Sequence, residues 1–105
     1  MTEHIVALST LGSEEEAVRL ARTLVERRLV ACVNVLPGVR SLYRWEGRVA
    51  DDREVLLIMK TRTERYEALS AAIEELHPYD VPELISVPLH GGSAGYLSWV
   101  DAATL

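Results

Sequence analysis

The sequence predicts an α+β fold, a β-α-β-β-α-β chain with one antiparallel sheet, two helices on one face and an added C-terminal helix. Three observations predict it. Two segments of helical periodicity alternate with strand-like runs. A tight turn at Glu46-Gly47 joins two long extended runs into a central hairpin. The connector His77-Pro78-Tyr79-Asp80-Val81-Pro82-Glu83 stops the second helix and leads into a further strand.

Ile5 to Ser9 reads as a short buried strand. Ser13 and Glu16 form a capping box, and Ala17, Leu20, Ala21, Leu24 and Val25 recur on one helical face. That helix ends near Arg27-Arg28, where positive charge suits the carbonyl end. Val30 to Trp45 is extended, with a bulge or bend at Pro37-Gly38, and Arg48 to Thr61 returns beside it. Thr63 is placed to cap a second helix that buries Tyr66, Leu69, Ile73 and Leu76. Glu83 to His90 is the last strand. Its Pro88 lacks an N–H and so belongs at a sheet edge. Gly91-Gly92-Ser93 breaks the chain, and Ala94 to Ala103 forms the closing helix, with Trp99 as a packing residue. This order is the ferredoxin-like arrangement.

Pro78 and Pro82 bias His77 and Val81 toward extended backbone, so the connector is stiff. It presents a His, a Tyr, an Asp and a Glu. Such a segment either makes a binding surface or locks one element against another.

The chain has 105 residues and reads as a single domain spanning 1–105. At 49% hydrophobic and 26% charged residues, it is neither disordered nor collagen-like. Its net charge of −5 argues against non-specific nucleic-acid binding, which needs a basic face. Cys32 is the sole cysteine, which suits a reducing cytoplasmic setting. Met1-Thr2-Glu3-His4 runs into a strand without a basic, then apolar, leader, and no apolar run is long enough to span a bilayer.

The two central strands are longer than a small two-helix layer needs, at ~3.3 Å per residue. A long apolar ribbon projecting into water is an aggregation hazard, so the pattern predicts a homo-oligomer that covers it. Leu42, Tyr43 and Trp45 at the projecting end are the expected subunit contacts.

Taken together, these segments resemble the CutA divalent-cation-tolerance family. The matching residues are Ala31-Cys32-Val33-Asn34, Pro37-Gly38, Ser41-Leu42-Tyr43-Arg44-Trp45-Glu46-Gly47 and Glu54 through Lys60-Thr61. His77-Pro78-Tyr79, Pro82-Glu83 and Tyr96-Leu97 with Trp99 complete the match, which covers essentially the whole chain. The resemblance implies a ferredoxin-like fold and a homotrimer with hairpins packed between subunits, similar in architecture to PII signalling proteins. It implies copper tolerance, binding of divalent copper and no catalytic activity. The ligands it implies are a Cys at the end of the first strand and two adjacent histidines before the Pro-Tyr pair. Here those positions hold Ser9, Leu76 and His77, so one ligand of three is present. The family's common Cys32 is present, and Tyr79 and Glu83 also match.

The candidate metal ligands are therefore Cys32, a soft thiolate, and His77, an imidazole suited to copper(II) or another divalent cation. Neither has a neighbour at chelate spacing. Cys32 also reads as a small buried strand residue, and His77 as a helix-end residue bonding terminal carbonyls. Lys60, Asn34, Tyr79 and Glu83 are the candidate cleft residues. Pairing Trp45 with Arg48 places Lys60 opposite Val33, near Cys32 and Asn34, with a bulge at Pro37-Gly38 able to shift that register. Lys60, the sole Lys, then either pairs with Glu83 or another carboxylate, or serves an anion site beside the connector. Asp51-Asp52-Arg53-Glu54 reads as a solvated bulge.

Three functions compete. The first is a trimeric metal-binding protein. The second is a PII-like module that binds a small anionic effector or a protein partner between subunits. The third is an enzyme of the acylphosphatase kind, and the loop Thr10-Leu11-Gly12-Ser13 lacks the Arg which that chemistry needs.

Overall fold

Alternation along the first strand sets the architecture. In β1 (His4–Leu11) every second residue, Ile5, Ala7, Ser9 and Leu11, is buried. The same alternation runs through the inner half of β3 (Arg48–Arg62), where Val55, Leu57, Met59 and Thr61 are buried. The two strands are antiparallel neighbours, so these residues share one face. The computed structural model describes residues 3–105. Its four-stranded sheet has the order β2-β3-β1-β4 and every pairing is antiparallel, with β2 at Cys32–Trp45 and β4 at Ile85–Pro88.

Helices α1 (Glu14–Glu26) and α2 (Tyr66–Leu76) supply the other side of that core. The α1 start is a capping box: the Glu16 amide donates to Ser13 Oγ at 3.2 Å, and the Ser13 hydroxyl donates to Glu16 Oε1 at 3.1 Å. Ala17, Leu20, Ala21 and Leu24 are buried as expected, whereas Val25 is exposed. The helix closes with two reverse bonds, Arg28 N–H to Val25 O and Leu29 N–H to Leu24 O, each 3.0 Å. This is a Schellman closure with Arg28 at φ 59°, where glycine is usual. Helix α2 buries Leu69, Ala72 and Ile73 and follows a 3-10 turn at Thr63–Arg65, so the helix proper begins later than the Thr63 cap predicted.

The strand bounds also moved. Val30 and Ala31 are buried in the approach to β2, which starts at Cys32. The last strand is only Ile85–Pro88, shorter than Glu83–His90, and it occupies an edge as Pro88 required. Glu46 at φ 51° and Gly47 at φ 77° make the hairpin turn, and Trp45 pairs with Arg48. Between Leu36 and Val39 the register shifts, with Gly38 at φ 79°. Pro37 and Gly38 together oppose Val55, so β2 gains one residue and Lys60 faces Cys32 rather than Val33.

The opposite sheet face has no α1 or α2 above it. It carries Val6, Leu8, Leu36, Leu56, Ile58, Ile85 and Val87, with Cys32, Asn34, Lys60 and Thr10 among them. Ile85 and Val87 are about half exposed. Helix α3 (Ala94–Ala103) contacts β3 near its Arg62 end. Arg62 Nε and Nη2 donate to Thr104 Oγ1 at 2.7 Å and to its carbonyl at 2.6 Å, and Arg65 Nε donates to that carbonyl at 2.8 Å. Val100 is buried there, but Trp99 is exposed, contrary to its packing assignment. Beyond the bulge the hairpin projects, giving the molecule a long axis of 44 Å against 26 and 23 Å. Leu42, Tyr43, Trp45 and Val49 are exposed along it.

Leu57 is wholly buried at the centre of the core. Leu57→Ala is expected to lower unfolding stability by about 2–5 kcal/mol, read from urea denaturation at fixed protein concentration. A loss well under 1 kcal/mol would show that the sheet–helix core is not where the folding energy resides.

Candidate functional site

The residues singled out from the sequence fall into two separate places. One lies on the helix-free sheet face. Cys32 and Lys60 are direct cross-strand partners, and Lys60 Nζ sits 4.0 Å from Cys32 Sγ while donating to Asn34 Oδ1. Tyr96 of α3 closes over this group. Burial, then the Cys32 sulfur, raises its phenol above the ordinary value. Lys60 therefore does not pair with Glu83.

The other place is built by the connector. His77 caps α2, its N–H donating to Ile73 O at 2.9 Å. Its Nε2–H donates to Thr10 O at 2.8 Å, and its Nδ1 accepts the Tyr79 N–H at 3.1 Å. These partners fix a neutral imidazole with the proton on Nε2. The His77 and Tyr79 rings meet edge to face with centroids 4.8 Å apart. Tyr79 then reaches across to β3, where its hydroxyl donates to Glu54 Oε2 at 2.7 Å. Gly12 permits that path, since a Cβ there would stand 3.3 Å from the Tyr79 oxygen. Thr10 Oγ1 donates to Glu83 Oε1 at 3.5 Å, a weak contact. Of the two readings of the connector, the lock is the one realised by His77.

Between this connector and the projecting hairpin lies a cleft of about 940 Å³, lined by Tyr43, Trp45, Asp52, Glu54, Tyr79 and Glu83 among others. Tyr43 donates to Asp52 Oδ2 at 2.6 Å, and that bond is the first cause of its raised pKa. Burial, then the bond to Glu54, pushes the Tyr79 phenol well above its ordinary value. Arg40 also lines the cleft but is engaged by Asp51 in a two-pronged pair at 2.9 and 2.7 Å, which raises the guanidinium pKa and lowers the carboxyl. Glu54 is the residue the sequence reading missed. It was assigned to a solvated bulge, yet it is only 8% exposed. Its place in β3, two residues before Leu56 and hence on the same face, was the available signal.

The two places stand apart. Thr10 pairs with Leu56, four residues along β3 from Lys60, or about 13 Å of strand. His77 and Cys32 are not brought together as metal ligands. Ser9 is wholly buried in the position of the first-strand cysteine, with its Oγ unpartnered among the described residues. Leu76 packs on the core, and both His77 ring nitrogens are in use. The implied three-ligand copper set therefore does not fit Ser9, Leu76 and His77. Among the described residues no three His, Cys, Asp or Glu side chains are grouped to hold a metal ion. The described residues also hold no helix long and apolar enough to cross a membrane.

The raised Tyr79 pKa has a defined sign for stability. The folded chain favours the neutral phenol, so this stabilisation is complete below about pH 10.0, the ordinary value, and is lost as pH rises toward the folded value. Urea midpoints should fall from about pH 9 to pH 11, and less steeply in Tyr79→Phe. Equal slopes in the two proteins would show that the phenol is not held by burial and Glu54.

The family profile described as CutA1 divalent ion tolerance protein matches residues 5–103. The "Divalent-cation tolerance protein CutA" of Thermus thermophilus is 47% identical over 99 residues, 94% of this chain and 96% of that one. A chloroplastic CutA of Arabidopsis thaliana is 45% identical over 100 residues, 95% of this chain but 55% of the longer relative. Among solved structures, CutA1 from Oryza sativa superposes with a TM-score of 0.95 at 42% identity, covering 99% of this chain and 95% of that one. CutA1 from Ehrlichia chaffeensis does so at 0.93 and 28% identity, covering 100% and 98%. Sequence and fold thus match over nearly the whole chain, and the chain belongs to the CutA1 divalent ion tolerance family.

Proposed function

We propose that this protein is a non-catalytic, cytoplasmic, homotrimeric divalent-cation-tolerance protein that binds copper(II) or a related cation. The observation that carries the assembly is the helix-free sheet face. Its apolar residues include Ile85 at 51%, Val87 at 52% and Leu36 at 39% exposure, and the hairpin that projects beyond it bears exposed Leu42, Tyr43 and Trp45. Exposed apolar surface of this extent is what subunits cover. Three copies follow the resemblance of the chain to its family. The lone Cys32 supports a reducing compartment. Nucleic acid and membrane are not among the proposed partners, in keeping with the net charge of −5.

Within one chain no three suitable donors converge among the described residues. The proposed ion is therefore held by donors from more than one copy. Cys32, half-buried on the shared face, is the donor kept in this reading, while His77 is assigned to holding the connector. A small anionic effector is the second reading. The observation favouring it is Lys60, whose ammonium faces Asn34 and Cys32 with no carboxylate partner among the described residues. Its ligand would meet Lys60 and Asn34 on the shared face rather than Tyr79 and Glu83.

Gel filtration of Ile85→Asp/Val87→Asp should shift the protein to a smaller, folded species; an unchanged elution volume would remove this face from the interface. Calorimetric titration with copper sulfate should show binding that weakens at least tenfold in Cys32→Ser and changes little in His77→Gln. The same affinity in all three proteins would take Cys32 out of the copper site.

A further inference from the structure

We propose that Lys60 sets the charge of the ion that Cys32 accepts, admitting a soft monovalent ion such as copper(I) ahead of a divalent one. The inference rests on the proposed role of Cys32 as a metal donor on the shared face, and it adds the residue that selects among ions there.

The first ground is position. Lys60 is the direct cross-strand partner of Cys32, and its Nζ stands 4.0 Å from Cys32 Sγ. Asn34, two residues along β2 on the same face, accepts from that ammonium through Oδ1 and so keeps it beside the sulfur. No carboxylate pairs with Lys60 among the described residues. Tyr96 brings no countercharge either, since burial and then Cys32 hold its phenol above the ordinary value and keep it neutral.

The second ground is the surroundings. One row across the sheet runs Cys32, Lys60, Val6, Val87, and a neighbouring row on the same face runs Asn34, Ile58, Leu8, Ile85. Polar partners for the ammonium thus lie on the Cys32 side, and apolar side chains lie on the other. Lys60 and Cys32 are both half-buried. Apolar neighbours lower the local dielectric, and a second copy seated on this face removes more water. Charges held there act on one another far more strongly than in bulk solvent.

The third ground is the charge of the ion. A metal–thiolate bond is about 2.3 Å long, so an ion on Cys32 Sγ lies within about 6 Å of the Lys60 ammonium. Repulsion scales with the charge of the ion, so a divalent ion meets twice what a monovalent ion meets. One thiolate neutralises a monovalent ion in full but leaves a divalent ion with a net positive charge facing Lys60. Soft sulfur also suits copper(I). The two preferences agree, and only that of Lys60 can be removed without touching the donor.

Silver nitrate and cadmium nitrate are the probes, since both ions are soft and redox-inert and differ in charge. Each is titrated calorimetrically against the full-length protein in chloride-free buffer, with a competing ligand that brings its affinity into range. Lys60→Met, which keeps the apolar stem, should strengthen cadmium binding at least tenfold and silver binding by about the square root of that factor. Lys60→Gln should show the same inequality, and Lys60→Arg should keep the ratio of the unmodified protein. Equal factors for the two ions, or no gain for cadmium, would overturn the proposal while leaving Cys32 a donor. Cys32→Ser binding both ions as tightly as the unmodified protein would instead remove the donor, and the copper reading with it.

Discussion

An antiparallel sheet that is apolar on both faces needs a cover on both, and α1 and α2 cover only one. Every second residue of β1 and inner β3 enters the helix-side core, while the intervening Val6, Leu8, Leu56 and Ile58 look the other way. α3 shields one end of that second face, where Arg62 and Arg65 hold Thr104. The rest, out to Ile85 and Val87 on the edge strand, meets water in the isolated chain. Burial of apolar surface is the main favourable term in folding and in most association, at about 25 cal/mol per Å². An uncovered sheet face is therefore the main constraint on how this protein exists in solution.

The hairpin extends the same constraint. The bulge at Pro37-Gly38 lets β2 and β3 keep pairing beyond the two-helix layer while changing which residues oppose each other. On the far side of the bulge, Tyr43 and Trp45 share a face with Asp52 and Glu54. The connector comes up against that face because His77 ties the end of α2 to Thr10 and orients Tyr79. A shift of one residue at the bulge thus decides which side chains border the cleft. The residues of the cleft come from β1, the hairpin and the connector, and are joined by hydrogen bonds rather than by sequence proximity.

Much of the fold was legible in the sequence because its signals are local. The Ser13–Glu16 box, the Glu46-Gly47 turn and the edge position of Pro88 follow from chemistry within a few residues. The register at Lys60 did not, since a bulge adds a residue without announcing on which strand. Val25 and Trp99 were assigned to the interior from pattern and size, and both are exposed in the single chain. The candidate site was legible only in part. Tyr79 and Glu83 do meet one cleft, and Cys32, Asn34 and Lys60 do meet each other, but these are two sites. Glu54 was hidden among neighbouring charges, where strand parity carried more information than composition. His77 illustrates the limit most plainly: a histidine between a helix and a proline reads equally as ligand or as latch, and only the partners of its two nitrogens decide.

The central claim is that copies of this chain cover the open sheet face. Sedimentation equilibrium of the unmodified protein at micromolar concentration tests it most directly. The account predicts one folded species of three chain masses that persists on dilution. A well-folded species of a single chain mass under the same conditions would contradict it.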